Sequence, residues 1–88
     1  MRLDKFLKVS RLIKRRSVAK EVADQGRVLI NDIVAKSSAT VKVGDEITIR
    51  YGNRTLVIKV EALKDSTKKE DADSMYSVLA NERPADEV

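Results

Sequence analysis

Cysteine and histidine are both absent from this chain of 88 residues. Without cysteine no disulfide can staple so small a domain, and a reducing compartment fits. Without histidine the commonest general base and triad partner is gone, and any zinc site would rest on carboxylates alone. Aromatic residues are scarce: Phe6, Tyr51 and Tyr76 are the whole set. Apolar runs reach only triplets such as Val28-Leu29-Ile30, too short for a signal-peptide core or a membrane span. No internal repeat and no low-complexity run interrupts the chain. What remains is 42% hydrophobic and 36% charged, the balance of a soluble globular domain with one core. A cytoplasmic protein is expected.

The net charge of +4 is unevenly spread. Residues 1–27 carry nine Lys/Arg against three Asp/Glu, residues 28–64 six against four, and residues 65–88 three against seven. A basic N-terminal third followed by an acidic end is the electrostatic footprint of a polyanion binder.

Hydrophobic spacing divides the chain into helices first and strands after. Leu3, Phe6, Leu7 and Ser10 follow helical spacing, with Asp4 four residues before Lys8 as a favourable pair. Ser17 is placed to cap a second helix running to about Gln25, with Val18, Ala19, Val22 and Ala23 on its apolar side. Gly26 occupies the position of a left-handed helix terminator. From Arg27 the period becomes two. Strands are expected at 27–30, 33–35, 46–51 and 54–63, with turns at Asn31-Asp32, Val43-Gly44-Asp45 and Gly52-Asn53. Thr67-Lys68-Lys69-Glu70 reads as a capping box, and Ala72, Met75, Tyr76 and Leu79 then predict a third helix over 68–80. The last residues, beyond Pro84, are expected to fray.

Lys14-Arg15-Arg16, just before the Ser17 cap, is the sharpest local feature. Three cations oppose the positive end of a helix dipole and repel one another, at about 0.3–1 kcal/mol each. A bound phosphate resolves that conflict, because free backbone N–H groups and flanking guanidiniums converge on an anion. Arg11 lies on the same stretch, Lys20 extends the patch along the second helix, and Arg2 and Lys5 add a wing on the first. Lys8 is the bland counterpart, an exposed lysine paired with Asp4.

The type of polyanion can be narrowed. Phe6 and Tyr76 sit on apolar stripes, which leaves Tyr51 as the single stacking face. A sheet that splays single-stranded bases needs more. A DNA-reading helix needs base-edge readers where Val18 and Ala19 stand. Phosphate and shape recognition of folded RNA fits best. No nucleophile motif, P-loop or dinucleotide fingerprint is present, so no catalytic residue, metal or cofactor is expected. A protein adaptor using the acidic third helix is the competing class.

The blocks Arg2-Leu3-Asp4-Lys5-Phe6-Leu7, Arg16-Ser17-x-Ala19-Lys20, Gly26-Arg27-Val28-x-Ile30-Asn31 and Val43-Gly44-Asp45-x-Ile47 resemble the S4 RNA-binding domain family. The opening block and the small size resemble its stand-alone RqcP and fifteen-kilodalton heat-shock branches. The resemblance implies an α+β fold of the αL type, with two N-terminal helices packed on a small antiparallel sheet, to which the capping box and the spacing after it add a short C-terminal helix. Together with the reading of the residues, this divides the chain into an RNA-binding domain over 1–64, a loop and helix over 65–83 and a tail over 84–88. The implied RNA-facing residues are Arg2, Arg11, Arg15, Arg16 and Lys20, to which the charge pattern adds Lys5 and Lys14. The implied partners are large-subunit rRNA and peptidyl-tRNA, with RqcH in the same complex and a free monomer. Alanine tailing on a stalled subunit, recycling of aborted subunits and general rRNA binding are the activities it admits. Asp32 departs from the family's glycine after the hairpin Asn.

Overall fold

The structure, a computed structural model, describes residues 1–65 and 68–82. Two helices come first, α1 (Leu3–Val9) and α2 (Arg16–Asp24), followed by strands β1 (Val28–Ile30), β2 (Ile33–Val34), β3 (Glu46–Tyr51) and β4 (Arg54–Val60). A short helix α3 (Lys69–Ser74) and a last strand β5 (Tyr76–Glu82) complete the chain. The strands form one sheet in the order β2-β1-β3-β4-β5, antiparallel throughout. This is the α+β architecture expected. Among the described residues, no helix is long and apolar enough to cross a membrane.

The helical spacing of α1 does what it predicts. Leu3, Phe6 and Leu7 are wholly buried, and Ser10 closes the stripe. They pack with Ala19 and Ala23 of α2, whose small side chains four residues apart let that helix sit close. The sheet contributes Val28, Ile47, Ile49, Ile58 and Val60 to the same core. Strict alternation on β3 puts Ile47 and Ile49 inward, each paired across to β4.

The β1–β2 hairpin turns through Asn31 (φ 52°) and Asp32 (φ 68°). Two consecutive left-handed residues are what a two-residue loop between twisted strands requires. The departure at Asp32 therefore leaves the turn geometry intact. Gly26 ends α2 at φ 81°, in the left-handed role read from the sequence.

Three expectations need correction. The helix predicted over 68–80 ends at Ser74, and Tyr76–Glu82 is a strand on the outer side of β4. Ala72 and Met75 are buried as the stripe requires, yet Leu79 is half exposed. A strand here satisfies the backbone donors and acceptors of β4, and Tyr and Val favour that state. Second, α2 begins one residue before Ser17, with Arg15 as its flanking residue and no side chain capping it. Third, β4 stops at Val60 rather than Leu63. Thr67 of the expected capping box, and the tail from residue 83, lie outside the described residues.

Candidate nucleic-acid interface

The site is organised by a carboxylate. Asp4, in the first turn of α1, is only 3% exposed. Its side chain accepts two hydrogen bonds from Arg2, Nε to Oδ1 and Nη2 to Oδ2, both 3.3 Å, so the guanidinium and carboxylate meet fork to fork. Arg16, at the start of α2, donates from Nη2 to the same Oδ1 at 3.4 Å, and the Lys5 backbone N–H donates to it at 2.8 Å. Two arginines far apart in the chain are thus oriented by one buried anion. Both keep about half of their side-chain surface in solvent, 52% for Arg2 and 49% for Arg16. The ion-paired group carries one net positive charge, and it is presented outward.

A loop holds this carboxylate in place. The Leu3 N–H donates to the Ala39 carbonyl at 2.8 Å and the Asp4 N–H to the Ser37 carbonyl at 3.1 Å. These bonds occupy donors that open every helix, so α1 starts without a side-chain cap. The loop is tied in turn to the end of α2, where the Ser37 N–H donates to Asp24 Oδ1 at 3.0 Å. That hydrogen bond holds the Asp24 carboxyl below its ordinary value, with Lys20 and Lys36 adding a smaller pull the same way.

The connection between the helices supplies a second basic cluster. Arg11 stands at φ 61° right after the end of α1, where its N–H bonds the Lys8 carbonyl at 3.0 Å. A left-handed conformation costs a non-glycine residue about 1–2 kcal/mol. It turns the chain so that Lys8, Arg11 and Lys14 line one open groove of about 450 Å³. Arg15 follows in extended conformation, exposed, with no acidic residue in the first turn of α2 to offset it. Lys20 is exposed on α2, and Lys5 forms an ion pair with Asp65 at 2.9 Å.

The residues singled out from sequence therefore divide. Arg2 and Arg16 converge on Asp4, and Arg11 and Lys14 share a groove. Arg15 and Lys20 are exposed on and beside α2. Lys5 spends part of its charge on the acidic loop. Two contributors were misread. Asp4 anchors Arg2 and Arg16, with no bond to Lys8, and Lys8 joins the groove. The signal for Asp4 was its place two residues after Arg2, between Leu3 and Phe6 of the apolar stripe, inside the basic third.

The family model for the S4 domain matches residues 1–47, the stretch that holds Asp4, all seven candidate cations and Lys8. A protein of Streptococcus pneumoniae called RQC P-site tRNA stabilizing factor is 59% identical over 88 residues, covering 100% of both chains. The Bacillus subtilis protein of the same name is 61% identical over 83 residues, 94% of this chain and 96% of its own. A solved trimeric structure of Vibrio cholerae heat shock protein 15 superposes with a TM-score of 0.84 at 34% identity, covering 91% of this chain and 82% of that one.

Proposed function

The chain belongs to the S4 domain family, and on that premise we propose that it is a non-enzymatic factor of ribosome-associated quality control. It binds rRNA and peptidyl-tRNA on stalled large ribosomal subunits and steadies the tRNA while the nascent chain is extended. RqcH is the elongation partner in the same complex, extension adds alanine, and the free factor is a cytoplasmic monomer that joins the ribosome. The observation that carries the reading is the convergence of Arg2 and Arg16 on buried Asp4. Preorganised guanidiniums suit phosphates held in fixed geometry, and they need no catalytic group. Arg11, Lys14, Arg15 and Lys20 supply the neighbouring contacts, with Lys5 and Lys8 at their margin. Near-complete coverage of the Streptococcus and Bacillus relatives supports this reading.

The likeness to heat shock protein 15 favours one alternative, a factor that acts on aborted large subunits without tailing. Full-length identity is much higher to the stabilizing factors than to that structure, which supports the first reading.

The test compares affinities for empty large subunits, large subunits with peptidyl-tRNA, and intact ribosomes at one salt concentration. Two RNA surfaces already held together make the second contact intramolecular, worth about 10²–10⁴ in affinity. Subunits with peptidyl-tRNA should therefore bind far tighter than either other species, and Arg16→Ala should lose that preference. Equal affinity for all three rejects the reading in favour of general rRNA binding. Alanine tails made with RqcH only when the factor is added separate the first reading from the heat-shock alternative.

A further inference from the structure

Around the other side of α2 lies a pocket that the basic face does not use. It encloses about 280 Å³ and is lined by Leu12, Val18, Val22, Tyr51, Arg27 and Arg50 among its main residues. Its walls are mostly apolar, and Val18 is 39% exposed there although it stands on a surface helix. The Tyr51 ring is fixed: its hydroxyl donates to the Leu12 carbonyl at 3.0 Å, and Arg54 stacks 4.9 Å from the ring centroid. Arg27 and Arg50 lie on paired backbone, where the Arg50 N–H donates to the Arg27 carbonyl at 2.8 Å. Both are exposed, and among the described residues neither guanidinium enters an ion pair.

We propose that this pocket takes one unpaired nucleobase of an RNA, with the adjoining phosphate held by Arg27 and Arg50. The volume lies just below the ~300–1,000 Å³ of sites for drug-sized molecules, so it suits a single planar ring system. Two neighbouring guanidiniums without an acidic partner call for an anion, and their planar faces also stack on bases. The pocket adjoins the basic face through its wall. Leu12 lies on the connection that carries Arg11 and Lys14 into the groove. One backbone segment thus serves both a phosphate-binding groove and an apolar slot. With Tyr51 as the only aromatic side chain there, the slot reads one extruded base, not a run of them.

The inference rests on the reading of the chain as an RNA-binding factor, and its probe is separate from the ribosome. Three RNA hairpins serve: one with a single bulged 2-aminopurine, one abasic at that position and one fully paired. The unaltered protein should bind the bulged base about tenfold tighter than the abasic hairpin, the scale of one stacked base, with a change in 2-aminopurine emission. Val18→Lys fills the slot while adding positive charge, so it should erase that preference without weakening binding to the paired hairpin. A melting curve checks its fold, and if the variant unfolds, the emission change in the unaltered protein decides. Equal affinity for bulged and abasic hairpins, or a preference that survives Val18→Lys, overturns the proposal. So does an acidic leucine-containing peptide that binds with sensitivity to Val18→Lys while the hairpins go undiscriminated, because the occupant is then a protein. Stalled-subunit preference without base preference removes the slot alone, and base preference without stalled-subunit preference removes the proposed function alone.

Discussion

A carboxylate as buried as that of Asp4 is stable only if its lone pairs are used, and here two guanidiniums and a backbone N–H use them. Replacing Asp4 by Asn keeps one acceptor oxygen but turns an amide N–H₂ toward donors. Stability should fall by about 1–2 kcal/mol, a modest figure because the arginine ends of both pairs are half in water. Large-subunit binding should weaken more than that loss of stability explains, since each arginine left to wander costs about 0.5–1.5 kcal/mol to immobilise on RNA. Urea unfolding and cosedimentation of the same variant measure the two effects. Unchanged binding would show that the pairing is structural only. The sequence displayed these arginines, but it could not display their partner: a charged residue four before a lysine reads as a surface pair until burial shows where it points. Tyr51 teaches the same lesson in titration. Burial pushes its phenol above the ordinary value of 10.0, so the folded state holds that proton more tightly than the unfolded chain does. A raised value gives stability that is complete below the unfolded value and lost as pH climbs from about 10 through the folded value. Tyr51→Phe should be about 0.5–1.5 kcal/mol less stable at neutral pH for want of the bond to Leu12, and should lose less stability above pH 10. Thermal melts of both proteins from pH 7 to 11 check the sign.

The elements legible in the sequence are those whose hydrophobic period or turn chemistry is explicit. The stripe of α1, the alternation of β3 and the turn at Asn31-Asp32 all carry their own physical cause, and each is where the pattern puts it. The end of the chain failed because Ala72, Met75, Tyr76 and Leu79 satisfy a helical period by coincidence. Their spacing cannot reveal that the outer edge of β4 needs a partner, and edge pairing outweighs one turn of helix. The start of α2 was misplaced for a related reason. Ser17 has the chemistry of a cap, but the loop geometry starts the helix earlier and leaves Arg15 at its end. The element that closes the fold is therefore α3 with β5, and its anchor is Met75. That residue is wholly buried, and its carbonyl accepts from the Glu61 N–H at 2.8 Å and the Ala62 N–H at 3.2 Å. Met75→Ala removes a buried side chain while keeping both backbone bonds, so it should cost about 2–5 kcal/mol in urea unfolding. A cost below about 1 kcal/mol would mean that the C-terminal elements are appended to the core without supporting it.

At the scale of the whole molecule, charge is divided between a basic helical face and an acidic end. The basic third builds the helical face, and the acidic end already neutralises part of it through the Lys5–Asp65 pair. Phosphate contacts have a signature that no other surface imitates. Each one releases condensed cations, so log affinity falls linearly with log salt by about 0.7–0.9 per contact. This allows the members of the patch to be counted individually on large subunits bearing peptidyl-tRNA. Lys14→Gln removes a groove cation and should lower the slope by about one. Lys5→Gln removes a cation whose exposed partner is already protein, so its slope should change by less than half as much. Asp4→Asn removes no cation at all. Its line should be no shallower than that of the unaltered protein, because losing the anion of a group with one net positive charge removes no phosphate contact. Affinity should be lower at physiological salt because the arginines must first be ordered. A line coincident with the unaltered protein would strip Asp4 of its positioning role. A slope reduced by about two would mean that Arg2 and Arg16 touch RNA only while Asp4 holds them, so that the buried carboxylate sets the number of contacts as well as their cost.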